Sequence, residues 1–156
     1  MADDNEIWML CTNTAVRRAA RRLGQLYDDI IEPSGLKGTQ FSLLSQIARH
    51  DEPALKSLAE AMVMDLSALG HTLKPLIRDG YVELVPDDKD RRVKRARLTA
   101  AGLAKQRETT LLWQKAQAQL DEVFGQQQSL GMRQALAELS SADFAERFKK
   151  AGDDGE

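Results

Sequence analysis

Between Pro86 and Gly102 the chain reads PDDKDRRVKRARLTAAG, and no other stretch restricts the fold as tightly. Six of the 22 lysines and arginines fall in the nine positions 89–97, although the formal net charge of the chain is only -2. Asp87 and Asp88 precede them, and Asp90 interrupts them. A solvated run of like charge accounts for the basic residues but not for the carboxylates set among them. YVELV before the turn and VKRARL after it are short segments of strand-forming residues, bounded by Pro and Asp. They predict a β-hairpin with a charged tip.

The rest of the sequence has helical periodicity. Ile7, Leu10, Cys11, Thr14, Leu23, Leu26 and Ile30 recur at helical spacing, which predicts one long helix from Asn5 to Ile31, ended by Pro33-Ser34-Gly35. A second helix from Thr39 carries Phe41, Leu44 and Ile47 and stops at the HDEP turn, and Leu55 to Met62 forms a short third helix. Asp65 is a suitable N-cap for a fourth, because its carboxylate can accept a free first-turn N–H. Leu66, Leu69, Leu73, Leu76 and Ile77 form its apolar stripe, Pro75 should bend it, and Gly80 ends it. Thr99 caps a long helix through Leu103, Leu111, Leu112, Ala116, Leu120 and Phe124, Gly125 and Ser129 mark a break, and helix resumes through Leu130, Leu136, Leu139 and Phe148 to an acidic tail.

Composition narrows the chemistry. A single cysteine, Cys11, excludes an internal disulfide and fits a reducing cytoplasm. No apolar run approaches the roughly 20 residues needed to cross a bilayer, and the MADDNE start is unlike a secretion signal. His50 and His71 have no partners at metal-ligand spacing, and neither a phosphate-cradling glycine loop nor a nucleophile elbow occurs. Neither catalysis nor a bound cofactor or metal is expected.

Helix, short helix, capped helix and basic hairpin, in that order, describe a winged helix-turn-helix. The fold class is therefore mainly α with a small β-hairpin wing, flanked by N- and C-terminal helices. With its leucines inward, the fourth helix presents Ser67, Ala68, Gly70, His71, Thr72 and Lys74 outward. Short and polar side chains of this kind let a helix approach the edges and phosphates of a DNA groove. In the hairpin Lys89, Arg91, Arg92, Lys94, Arg95 and Arg97 carry positive charge, and Asp90 stands two residues before Arg92. A free arginine loses about 2 kcal/mol of rotamer entropy when it docks. A carboxylate at that offset can hold the guanidinium by two parallel bonds and set its direction. A surface ion-pair ladder explains the alternation of charge equally well, but not the local excess of cations.

The segment LIRDGYVELVPDDKDRRVKRARLTAAG resembles the wing of the MarR family of bacterial transcriptional regulators. The family pattern is matched at Leu76, Gly80, Tyr81-Val82, Asp87, Asp90, Arg92, Ala96, Leu98, Thr99 and Gly102. GLKGTQFSLLSQI and LKSLAEAMVMDLSALGHTL resemble the second to fourth helices of that family, so the similarity runs over about residues 7 to 125. Asp88 departs from it, standing where a proline is common.

The resemblance implies a homodimer that binds an inverted repeat in double-stranded DNA, most simply as a repressor. Residues 1–34 and 101–156, the latter with the acidic tail, would supply dimerisation helices, and residues 35–100 the DNA-binding domain. Arg92 would enter the minor groove with Asp90 as its buttress, while Ser67, Gly70, His71 and Thr72 would lie on the recognition helix. It also implies release by a small aromatic or lipophilic effector in a crevice that Trp8, Tyr27, Phe41 and Trp113 could line, with Arg17 or Arg21 for a carboxylate. RRAARR (residues 17–22) could equally hold phosphate or an acidic partner surface.

A redox switch is the alternative within the fold, since the organic-hydroperoxide sensors of the family carry a first-helix cysteine. Alignment on Tyr27 and Gln40 places that cysteine at Asn13, about 200° around the helix from Cys11. Cys11 itself reads as a buried, inert thiol on the apolar stripe. Outside the family, the remaining alternative is a helical protein-interaction module with a basic hairpin.

Overall fold

The computed structural model describes residues 4–153, with side chains from Glu6 onward. Residues 1–3 and the last three residues of the acidic tail lie outside the described residues. Among the described residues eight α-helices and one antiparallel hairpin follow in the order α1 (Asp4–Leu10), α2 (Thr12–Ile31), α3 (Gly38–His50), α4 (Leu55–Ala61), α5 (Leu66–Arg78), β1 (Val82–Pro86), β2 (Lys94–Leu98), α6 (Ala100–Phe124), α7 (Gln126–Leu139) and α8 (Ala142–Asp153). Contacts divide the chain into two compact units, Met1–Ala116 and Gln117–Glu156.

The core of the first unit is built from Leu43, Leu44 and Ile47 of α3, Leu58 and Ala59 of α4, and Leu69, Leu73 and Leu76 of α5. Val82 and Ala96 close it from the hairpin, Ile31 from the end of α2, and Leu36 from the turn that follows. Leu66 and Ile77, expected in the same stripe, are exposed. They lie on one edge of the stripe at opposite ends of α5, and Leu66, the first helical residue, has no preceding turn of helix to pack on.

The expected single N-terminal helix is two helices. Cys11 adopts an extended conformation (φ -74, ψ 103) and caps α2, its Sγ accepting the Thr14 amide at 3.4 Å. The sequence Thr12-Asn13-Thr14 explains the break: these residues are weak helix formers because their side chains compete for backbone partners. Cys11 is therefore half-buried at a helix junction, not buried within a continuous stripe. The Thr14 hydrogen bond draws its pKa below the ordinary thiol value.

Asp65 caps α5 as expected, accepting the Ala68 amide at 2.7 Å. Asp65→Ala should lower stability by about 1 kcal/mol, read as a fall in urea midpoint at constant slope. An unchanged midpoint would contradict the assignment of the cap. Pro75 sits inside α5 without ending it. Gly80 follows at φ 75, the left-handed conformation that lets the chain leave the helix and enter β1. In the hairpin Val82 pairs with Leu98 and Pro86 with Lys94, leaving residues 87–93 as the connecting loop.

In the second unit the break expected between Gly125 and Ser129 is confined to Gly125 (φ 97). Ser129 is buried inside α7, where its hydroxyl accepts from Arg133 at 3.2 Å. Arg133 also pairs with Asp121, at 3.7 Å. A further break falls at Ser140-Ser141: Ser140 Oγ donates to the Leu136 carbonyl at 2.8 Å, and Ser141 Oγ caps α8 by accepting the Phe144 amide at 3.1 Å. Arg147 ties α8 to α7, reaching Asp143 at 2.9 Å and Glu138 at 3.2 Å.

Candidate nucleic-acid interface

Two elements place the candidate residues. On α5 the exposed face consists of Ser67, Gly70, His71 and Lys74. No atom outside the local helix lies within 4 Å of a side chain added at Gly70, so backbone is open to close approach there. Ala68 and Thr72, expected on the same face, are half-buried, and the Thr72 hydroxyl is already bonded to the Ala68 carbonyl at 3.2 Å. Arg78 extends the exposed face one turn beyond Lys74 and is held by Asp79 at 2.9 Å. Its spacing of four residues from Lys74 was the signal in the sequence that would have found it.

In the wing, Asp87 orders the turn. Its Oδ2 accepts the amides of Lys89 and Asp90, both at 3.0 Å, and its Oδ1 accepts from Arg95 Nε. Asp90 then grips Arg92, with Nε to Oδ1 and Nη2 to Oδ2 both at 3.0 Å and the Arg92 amide to Oδ1 at 3.1 Å. This is the fork expected from the two-residue offset. The guanidinium stays available, because the Arg92 side chain is 91% exposed.

The six cations of the hairpin separate into two groups. Lys89, Arg91, Arg92 and Lys94 are exposed. Arg95 and Arg97 turn back to the body: Arg95 Nη1 donates to the Glu52 carbonyl at 2.9 Å, and Arg97 pairs with the Glu52 carboxylate and, at 3.4 Å, with Glu83 across the strands. Glu52 was not visible as a partner in the sequence, since it lies 45 positions from Arg97. The one legible signal was that Arg95 and Arg97 alternate onto one face of β2.

Asp90, Asp87 and Glu52 are stabilised in their charged forms. The fork to Arg92, followed by the Arg92 amide, holds Asp90 below the usual carboxylate range. The Arg95 contact, then the Asp90 and Lys89 amides, does the same for Asp87, and the Arg97 pairing does so for Glu52. Groups with lowered folded pKa stabilise the fold fully above their unfolded values, and that contribution is lost as the pH falls through the folded values. Wing order, followed through the Lys89 and Asp90 amides, should therefore be constant from about pH 8 to pH 5 and decay only below about pH 4. Decay beginning near neutrality would contradict these pairings.

The residues expected to line an effector crevice are only partly brought together. Phe41 and Trp113 meet with ring centroids 6.4 Å apart. Trp8 is exposed on α1, with Arg18 rather than Arg17 above its ring at 5.2 Å, while Arg17 and Arg21 are exposed and Tyr27 is half-buried on α2. Among the described residues no cluster of three or more His, Cys, Asp or Glu could hold a metal ion, and no helix is long and apolar enough to cross a membrane.

A capped helix beside an arginine-tipped hairpin, both resting on one helical core, defines a winged helix-turn-helix. The MarR family model matches residues 36–94. The M. tuberculosis transcriptional regulator MosR, solved in complex with DNA, is 36% identical over 88% of this chain and 98% of its own, with a TM-score of 0.77. E. coli MarR, as a cysteine-to-serine mutant complexed with operator DNA, shares the fold at 20% identity over 88% of this chain and 99% of its own, with a TM-score of 0.77. The repressor CouR bound to a 23-mer DNA duplex shares it at 19% identity over 90% of this chain and 100% of its own, with a TM-score of 0.79. No curated protein matches the chain. The chain belongs to the MarR family of transcriptional regulators.

Proposed function

We propose that the protein is a homodimeric repressor that binds an inverted repeat in double-stranded DNA. In this reading α5 enters the major groove and Arg92 the minor groove. The carrying observation is the Asp90–Arg92 fork at an exposed apex: a cation pre-oriented by a carboxylate yet open to a partner. Ser67, Gly70, His71 and Lys74 on α5 face bases or phosphates, Ala68 and Thr72 flank them, and Lys89, Arg91 and Lys94 add phosphate contacts. The DNA complexes of MosR, MarR and CouR support the partner, and the repressor role of CouR supports the direction of control.

A second copy is supported by apolar surface left open in each unit. On α1 Met9 is 82% and Leu10 76% exposed, and in the second unit Val123 is 88% and Phe148 73% exposed. Side chains of this size rarely stand clustered in water on a monomer. Two-fold symmetry then sets half-sites about 10 bp apart, or a multiple of that. The Phe41–Trp113 pair supports a small aromatic effector, with Trp8, Tyr27 and Arg17 as the other candidates for contact. Cys11 supports a second reading, a thiol-controlled release, because its Sγ caps a helix and is only half-buried.

The test is a gel shift with the intergenic DNA beside the protein's own gene, repeated across a salt series. Tight, saturable binding with a logarithmic salt slope of about -0.9 per phosphate contact is expected. Random duplex binding as tightly as the intergenic DNA would refute sequence-specific recognition. Titration with aromatic acids tests the effector, and hydroperoxide treatment of the parent and of Cys11→Ser tests the second reading.

A further inference from the structure

We propose that Glu52, in the loop between α3 and α4, is a positioning residue: its carboxylate and carbonyl clamp β2 so that the hairpin delivers Arg92 to duplex DNA at a fixed angle. The inference rests on the DNA-binding reading above and adds to it a residue outside both the wing and α5.

The backbone gives the first reason. Asp51 and Glu52 are consecutive non-glycine residues with positive φ, 48° and 58°. The left-handed conformation costs an ordinary L-residue about 1–2 kcal/mol, and such strain persists only where surrounding contacts over-determine it. The hydrogen bonds of Glu52 lead to the wing. Glu52 Oε1 accepts from Arg97 Nε and its Oε2 accepts from Arg97 Nη2 at 3.3 Å, while its carbonyl accepts from Arg95 Nη1 at 2.9 Å. The next carbonyl, that of Pro53, accepts the Ala96 amide at 3.0 Å, and Ala54 bridges Arg95 in antiparallel fashion. The loop thus forms a third edge against β2, opposite β1.

From there the bonds run on without a gap. Arg95 holds Asp87, Asp87 fixes the Asp90 amide, and Asp90 grips Arg92. A chain of polar contacts therefore joins the end of α3 to the wing tip.

Stability alone does not explain this arrangement. The pairs are only half-buried, so solvent screening keeps their contribution to folding modest, and two strained residues oppose it. What the arrangement supplies is direction. A hairpin held only at its base can sway about that base, whereas one also clamped midway along β2 cannot.

Glu52→Gly separates positioning from stability: it removes the carboxylate's hold on Arg97 and keeps the carbonyl bond to Arg95, so β2 is clamped on one side only. Glycine adopts a φ of 58° freely, so the fold loses no backbone comfort while the carboxylate disappears. The probe is a duplex enriched from a random-sequence pool by the parent protein. The expected result is a Kd about fivefold or more weaker for that duplex, a melting temperature within about 2 °C of the parent, and almost no further loss when Glu52→Gly is added to Arg92→Ala. In the DNA-free protein, hydrogen exchange at the Lys89 and Asp90 amides should also accelerate about fivefold or more. Parent-like affinity and exchange, a large fall in melting temperature, or a full additional loss in the Arg92→Ala background would each overturn the inference. If the parent enriches no duplex, the DNA-binding reading fails, and the exchange measurement still decides whether Glu52 holds the wing.

Discussion

Arg92→Ala should weaken binding to operator DNA by tens-fold or more while leaving the melting temperature nearly unchanged. The side chain is 91% exposed and held by Asp90, so its removal opens no cavity. An exposed pair of this kind contributes little to the fold. On DNA the same guanidinium would give up one of the better charge-assisted contacts of the complex, and the salt slope should fall by about one phosphate equivalent. Asp90→Ala should show a smaller loss of the same kind, because the arginine remains but must then surrender about 2 kcal/mol of side-chain entropy on docking. Isotherms for Arg92→Ala that superimpose on the parent's would remove the wing from the mechanism.

Gly102→Ala should be the most damaging single methyl in the molecule. A Cβ at Gly102 would stand 1.9 Å from the Tyr81 carbonyl oxygen and 2.8 Å from its carbon. Both are backbone atoms at the root of β1, so no side chain can swing aside. The junction is already fully bonded. Thr99 Oγ1 donates to the Gly80 carbonyl at 2.6 Å and accepts the Gly102 amide at 3.0 Å, while the Thr99 amide donates to Tyr81 at 3.1 Å. Relieving the clash must break part of this set. Overpacking of a tight site costs about 1–3 kcal/mol, and an immovable backbone contact belongs at or above the upper end. At about 2–4 °C per kcal/mol for a chain of this size, the melting temperature should fall by about 6–12 °C. A melting temperature within a degree of the parent's would show that α6 can slide relative to the hairpin.

What could be read in advance, and what could not, follows from the range of the interactions. The Asp65 cap, the turn at Gly80, the hairpin and the Asp90–Arg92 fork depend on residues within a few positions of one another, and each carries a local signature. The break at Cys11 was missed because the apolar spacing continues across it, while the Thr12-Asn13-Thr14 run that causes it has no glycine or proline. Ser129 suggests a break by residue type, but its hydroxyl is bonded by Arg133 inside α7, and Ser140-Ser141 interrupts the helix instead. Glu52 read only as part of the HDEP turn. Its partners lie more than 40 positions away, a distance that no local pattern encodes.

The close contact between Gly102 and Tyr81 has a mechanical consequence. It leaves no slack between the first turn of α6 and the hairpin, so any rotation allowed at the Thr99 corner, were the contact relieved, would swing the hairpin as a stiff arm. Five residues of strand give an arm of about 17 Å, so each degree of rotation at that corner displaces the tip by about 0.3 Å. A tilt of ten degrees would carry the arginine about 3 Å, roughly half the width of a minor groove.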